Sequence, residues 1–171
     1  MNALVLYESR FGNTERVAEA IALALQEAVP TRLATVEEVT DCAETLRGID
    51  LLVVGGPTHS HGISQHLRDT VECLGEHSLD GVRVAAFDTR ITGPRLVTGS
   101  AAVRLGRLLR RRGGWLVVPP ANFIVEGREG PLERGEVEHA RAWAAEVLRA
   151  VGVRVREHTL AEPPPLRFRC R

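Results

Sequence analysis

Residues 3–15 read Ala-Leu-Val-Leu-Tyr-Glu-Ser-Arg-Phe-Gly-Asn-Thr-Glu. Three signals follow one another in this stretch. Ala3–Tyr7 is a continuous apolar run, which suits a strand buried on both faces of a parallel sheet. Ser9–Asn13 is a polar loop with one glycine. From about Thr14 to Ala28, Val17, Ile21, Ala24 and Ala28 recur at helical spacing with Leu25 beside them, and Pro30 ends the pattern. A buried strand that passes through a short loop into a helix is the opening of a βαβ unit.

The unit repeats along the chain. Thr31–Val36 reads as a second strand, followed by a helical stretch through Glu37–Leu46 that ends near Gly48. Asp50–Gly56 is the third strand, Pro57–Gly62 its exit loop, and about Ser64–Leu74 a helix. Val82–Phe87 is the fourth strand, Asp88–Thr98 a loop, and about Ser100–Arg112 a helix with Gly113 as its left-handed cap. Trp115–Val118 is the fifth strand; Pro119-Pro120 interrupts it and Phe123–Val125 resumes it. Leu132–Ala150 is the last helix, with Val137, Ala140, Ala144 and Val147 on its buried face. Five strands alternating with helices predict an α/β fold with a parallel sheet covered on both faces. Trp115 and Trp143 are expected in the core. Residues 1–151 are expected to form one domain and residues 152–171 a C-terminal extension. The alternation of Val151, Val153 and Val155, and of Leu166 and Phe168, predicts that the extension packs on its own domain or on a neighbouring subunit.

Composition narrows the function. The 171 residues suit one domain, and no apolar run approaches the ~20 residues of a membrane span. Met1–Leu4 has no basic region and does not read as a signal peptide. All 22 basic residues are Arg, so lysine-dependent phosphate loops and aldimine chemistry drop out. Zero net charge argues against bulk attraction to nucleic acid or membrane. The charge is nonetheless uneven. Residues 1–80 hold 5 Arg and 13 acidic residues, residues 81–171 hold 17 Arg and 9 acidic residues, and the two halves are expected to pair across the sheet. Cys42, Cys73 and Cys170 are odd in number and form no Cys-x-x-Cys, which predicts no disulfide framework and a reducing cytoplasm. Thr58-His59-Ser60-His61 and His66 lack nearby carboxylate ligands, so no metal site is expected. No Gly-x-Ser-x-Gly elbow is present, and no residue stands out as acid, base or nucleophile. His77, His139 and His158 are expected at the surface.

Ligands of such sheets bind beyond the carboxyl ends of the strands. That rule singles out Glu8–Asn13, Gly56–Ile63, Asp88–Thr98 and Pro119–Pro131. In the first loop, Ser9, Asn13 and Thr14 supply side-chain donors, Gly12 lets the backbone approach a ligand, and the helix N-terminus adds free amides. This makes an anion cradle without lysine; the plainer reading is that Asn13 or Thr14 only caps the helix. No Gly-x-Gly-x-x-Gly follows the strand.

Leu4–Glu15 resembles the start of the flavodoxin family, which has a hydroxyl residue after the first strand and then Gly-Asn-Thr entering the first helix. The resemblance implies a doubly wound five-stranded parallel sheet of order 2-1-3-4-5, with FMN as cofactor. It places Ser9, Arg10, Phe11, Gly12, Asn13 and Thr14 around the FMN phosphate. Phe11 stands where many flavodoxins have a second hydroxyl. Gly55-Gly56-Pro57-Thr58-His59 is similar to the third-strand exit of flavodoxin-like quinone reductases, which implies Pro57, Thr58 and His59 beside the flavin ring. Asp88, Thr89 and Arg90 fall where the family's third flavin loop lies and would meet the pyrimidine edge, with a cation there favouring the reduced, anionic flavin. A local Asp88–Arg90 ion pair in a surface loop is the alternative. Phe87–Leu132 resembles flavodoxin-domain proteins more than electron-carrying flavodoxins, and stacking aromatics are few. The implied function is redox chemistry, as electron transfer or as NAD(P)H- or quinone-type reduction by an FMN-dependent oxidoreductase. The alternative is a flavodoxin-fold module with weak or no FMN binding that works through a protein surface. The redox partner, a role for NAD(P)H and homo-oligomerisation stay open.

Overall fold

A computed structural model of the chain describes residues 1–58, 62–75, 77–93 and 99–153. The elements are β1 (Ala3–Tyr7), α1 (Asn13–Gln26), β2 (Thr31–Thr35), α2 (Cys42–Thr45), β3 (Leu51–Pro57), α3 (Gln65–Glu72), β4 (Arg83–Ile91), α4 (Ala101–Arg111), β5 (Trp115–Leu116), β6 (Ala121–Val125) and α5 (Glu136–Ala150). The strands form one parallel sheet in the order β2-β1-β3-β4-β5, and β6 also pairs with β4. This is the expected 2-1-3-4-5 order. The two halves of the last strand pair with different stretches of β4: Trp115 and Leu116 with Arg83 and Val84, and Ala121–Val125 with Phe87–Ile91. The prolines lie in the gap between them, since neither can donate to a ladder.

The continuous apolar runs arise because the sheet is covered on both faces. Val5, Val53, Ala85 and Phe87 face α1 and α5, where Val17, Ile21, Leu25, Trp143 and Val147 complete one core. Leu4, Leu6, Leu52, Val54, Val84 and Ala86 face the other way, onto Leu67, Val71, Leu105 and Leu109. Val151 and Val153 pack against the first core. Residues 154–171, with the extension's Pro and Leu166/Phe168 pattern, lie outside the described residues.

Five expectations are corrected. The 37–46 helix is broken: a 3-10 turn covers Val36–Glu38, Val39 is extended, and Asp41 starts α2 by accepting hydrogen bonds from the amides of Ala43 (2.8 Å) and Glu44 (3.0 Å). An Asp that caps a new turn competes with helix continuation. The last helix starts at Glu136, not Leu132, because Leu132 bridges to Val125. Trp115 is 71% exposed; it lies on the short strand at the sheet edge, where no further strand among the described residues covers it. The two charge halves do not pair. Every ion pair among the described residues joins groups within residues 1–80 or within residues 81–171. Cys42 and Cys73 form a disulfide, with Cα atoms 6.4 Å apart. Counting cysteines gave no hint of it, because the bridge depends on α2 lying beside the end of α3.

Two predictions follow from this packing. The bridge closes a loop of sequence separation 31, which by chain entropy stabilises the fold by between about 3 and about 5 kcal/mol. Protein purified without reductant should show one reactive thiol of three and a melting temperature that falls on reduction; three reactive thiols would remove the bridge. Tyr7, the chain's one tyrosine, is buried at the end of β1, and its hydroxyl donates to Glu15 Oε1 at 3.3 Å. Burial, and then the charge and hydrogen bond of Glu15, push its pKa up to about 12. Folding thus favours the neutral phenol. That stabilisation is whole below the unfolded pKa of ~10 and is lost as pH rises towards 12. A spectroscopic titration should show phenolate forming near pH 12 in the folded protein and near 10 in denaturant.

Candidate functional site

The carboxyl ends of β1, β3, β4 and β6 bring the described parts of the four expected segments together. Between β1 and α1, Gly12 occupies the cap position of the helix with φ 78°, and no side chain caps the helix there. Glycine adopts this left-handed conformation without the penalty a Cβ brings. A Cβ placed on it would meet only Glu15 Oε2, at 3.9 Å, so the turn is open on its outer side. The Glu15 amide donates to Ser9 Oγ (3.3 Å) and the Arg16 amide to Gly12 O (3.1 Å). The amides of Asn13 and Thr14 have no acceptor among the described residues. Since Ser9 Oγ accepts from Glu15, its own hydroxyl hydrogen is left for a ligand. Arg10 and Phe11 are exposed, with the Arg10 guanidinium 5.4 Å from the Phe11 ring centre.

Asn13 and Thr14 turn to neighbouring loops. Asn13 Nδ2 donates to the carbonyl of Glu129 at 2.8 Å. It crosses so close to Gly130 (φ 107°) that a Cβ there would lie 2.4 Å from the Asn13 amide nitrogen. Gly130 is thus what lets the 127–131 loop fold against the first one. Thr14 is buried and its hydroxyl hydrogen-bonds Thr89 Oγ1 at 2.7 Å. One hydroxyl hydrogen of this pair remains to be placed.

Asp88, Thr89 and Arg90 are not in a surface loop. They continue β4, which runs on to Ile91 because β6 pairs alongside it. Asp88 is 0% exposed. Its Oδ2 accepts from Thr58 Oγ1 (2.9 Å), Ser100 Oγ (2.8 Å) and the Ala102 amide (2.9 Å), and its Oδ1 from Asn122 Nδ2 (2.7 Å). Thr58 in turn accepts from the Ala101 amide (2.9 Å), and its own amide donates to Thr89 O (2.8 Å). The Thr58 hydroxyl is therefore committed to positioning the β3 exit. Pro57, half-buried, ends β3 opposite Thr89.

Arg90 makes no ion pair with Asp88 or with any other described carboxylate. It is 8% exposed, and its guanidinium donates to the carbonyls of Gly93 (2.6 Å) and Gly99 (2.9 Å), while its Nε has no partner. A buried cation held by neutral carbonyls, with an orphaned donor, is an unneutralised charge at the mouth of the sheet. His59 lies outside the described residues. Ser100, Asn122 and Glu129 were not anticipated as site residues. Ser100 did carry a signal, a hydroxyl residue directly before an apolar helical run.

The Asp88 cluster has a measurable weight. Asp88→Ala would leave the Thr58 and Ser100 hydroxyls and the Ala102 amide short of an acceptor, while Asn122 Nδ2 keeps Ser100 Oγ at 3.0 Å. At about 1–3 kcal/mol for each buried group left unpaired, the variant should lose several kcal/mol in urea unfolding. Ser64→Ala, which removes an ordinary helix cap, should lose only about 1 kcal/mol. Equal losses would reduce Asp88 to one cap among others.

Known proteins share this fold. A family model described as "Flavodoxin domain" matches residues 4–110. The probable flavodoxin 2 of Bacillus subtilis (strain 168) is 30% identical over 146 residues, 82% of this chain and 93% of that protein. Among solved structures, oxidised flavodoxin 2 from Bacillus cereus is 25% identical, with a TM-score of 0.70 over 87% of this chain and 99% of its own. Oxidised flavodoxin 1 from Bacillus cereus, at 21% identity, shares the fold with a TM-score of 0.73 over 87% of this chain and 98% of its own. These matches do not favour a cofactor-free interaction module. No helix among the described residues is long and apolar enough to cross a membrane. The open, uncapped start of α1 and the orphaned donor of Arg90 suit an anionic cofactor, and the chain belongs to the flavodoxin family, with FMN as its cofactor and redox chemistry as its function.

Proposed function

We propose that the chain is an electron carrier, that Ser9–Thr14 hold the FMN phosphate, and that Pro57–Thr58 and Asp88–Arg90 shape the seat of the ring. The observation that carries this reading is the start of α1. Its amides at Asn13 and Thr14 are unused, the Ser9 hydroxyl is free to donate, and the helix dipole adds partial positive charge. Bound FMN supplies the ability to take up and return electrons. The protein supplies position and field. The link between Thr14 and Thr89 fixes the first loop to β4, and the links from Asp88 fix the β3 exit and the start of α4. Asp88, buried with both oxygens occupied, is unsuited to passing protons, which favours electron transfer over acid–base work on a substrate. With Asp88–Arg90 at the seat of the ring, the Arg90 charge would lie near the cofactor, and a cation there would favour its reduced form.

In the same reading residues 1–151 are the flavin domain, residues 152–171 an extension of it, and the cytoplasm the place of action. Cys73 is exposed, so the thiols of that compartment can reach its bond to Cys42.

Flavin titration with fluorescence readout tests the phosphate site. A charge-assisted hydrogen bond is worth about 1.5–3 kcal/mol, so Ser9→Ala should weaken FMN binding by roughly tenfold or more while the melting temperature of the flavin-free protein holds. Unchanged affinity would move the phosphate elsewhere. Arg90→Gln should lower the midpoint potential, and Arg90→Lys should restore part of it. If Arg90 only closes the 93–99 loop, both variants would destabilise the protein and leave the potential alone.

A further inference from the structure

The four exposed positions of α4 are Arg104, Arg107, Arg110 and Arg111. Arg104, Arg107 and Arg111 fall within 60° of one another at about 100° per residue, and Arg110 flanks them. The opposite face is the apolar one, with Leu105 and Leu109 fully buried. None of the four guanidinium groups has a carboxylate within 4 Å among the described residues; the pairs Arg68–Glu72 and Arg47–Glu44 lie on other elements. No acidic residue occurs between Asp88 and Glu126. The helix dipole accounts for cations in the last turn. It does not account for Arg104 in the first turn, where a cation is disfavoured, or for Arg107 at mid-helix.

The stripe begins at the proposed flavin seat. Ser100, the cap of α4, belongs to the Asp88 cluster, and the Arg104 guanidinium lies 2.8 Å from where a Cβ on Gly62 would stand, in the β3 exit segment. The chain's own remaining residues are poor candidates to cover it. Residues 154–171 carry five Arg and two Glu, so their charge repels the stripe. A second copy could also offer its acidic residues 1–80, and its signature is self-association at low salt.

We propose that the α4 stripe is the docking face for a redox protein with an acidic surface around its own electron-carrying centre. This rests on the electron-carrier reading above and adds the charge and place of the partner. Carriers need brief encounters through small, wet interfaces, and there complementary charge sets the association rate more than the affinity. A row of guanidinium groups leading to the flavin seat steers an acidic partner to that end of the molecule.

The test uses an acidic [2Fe–2S] ferredoxin as probe. Reduced ferredoxin is mixed with the FMN-loaded protein; the cluster is oxidised by one electron and FMN is reduced by one. The second-order rate should fall as salt is raised. Arg107→Glu/Arg111→Glu should lower it at least about tenfold at low salt, with melting temperature and flavin content unchanged and the two proteins converging at high salt. A rate indifferent to salt and to these substitutions overturns the proposal. So does a low-salt polymer that the substitutions dissolve, which makes a second copy the occupant, or duplex DNA bound through the same residues in preference to the ferredoxin. Flavin content, read from the visible spectrum, reports on the cofactor reading separately. If no flavin is taken up, that reading fails while calorimetric titration of ferredoxin into both variants still decides this one.

Discussion

A carboxylate without solvent contact has to collect its hydrogen bonds from the protein. Asp88 does so from three directions: Thr58 after β3, Ser100 and the Ala102 amide at the start of α4, and Asn122 in β6. Ser100 Oγ and Asn122 Nδ2 also meet directly, at 3.0 Å. The apolar cores press the helices on the sheet but leave sliding along a strand nearly free, because burial is non-directional. Hydrogen bonds to one fixed carboxylate are directional, and they set where the β3 exit and the α4 N-terminus stop. In the proposed reading that stop shapes the flavin seat.

The same edge of the sheet shows two ways of ending a helix. α3 and α4 are closed by Ser64 and Ser100, whose hydroxyls accept from amides in the first turn. Ser64 is itself held by Glu8. α1 starts on a glycine instead, and its first amides stay open. Capping contributes about 1 kcal/mol to a helix, so leaving α1 uncapped costs stability in the absence of a ligand and is recovered when an anion occupies the turn. The open amides of Asn13 and Thr14 support the proposed anion site there; a glycine start alone does not, since α5 also begins on a glycine, Gly135, with no side-chain cap.

Much of the fold was legible because a sheet buried on both faces writes itself as apolar runs, and Ala3–Tyr7 and Leu51–Val54 could hardly be read otherwise. The ends of elements were less legible, for reasons outside the local sequence. β4 runs on through Asp88, Thr89 and Arg90 only because β6 lies beside it, and that pairing spans more than thirty residues of sequence. Trp115 looks like a core residue until the strand bearing it proves to be two residues long and at the edge. In the site, the contiguous Ser9–Thr14 segment was readable as a unit. The roles of Thr58 and Thr14 were not. Both were read as facing the cofactor, and their hydroxyls bond to Asp88 and Thr89 respectively, distant in sequence, partners that only the fold supplies.

Zero net charge concealed a division that the fold keeps. The expected pairing of acidic and basic halves is absent among the described residues, where every ion pair stays within one half of the sequence. Exposed charges that are not paired internally contribute little to stability, so nothing in the packing of α4 demands arginine at all four of its exposed positions. What such a stripe changes is the field around the molecule, and at physiological ionic strength that field reaches only about 8 Å. It can therefore orient an encounter at close range without binding charged polymers from afar. The proposed electron carrier would need orientation of that kind more than it needs tight contact.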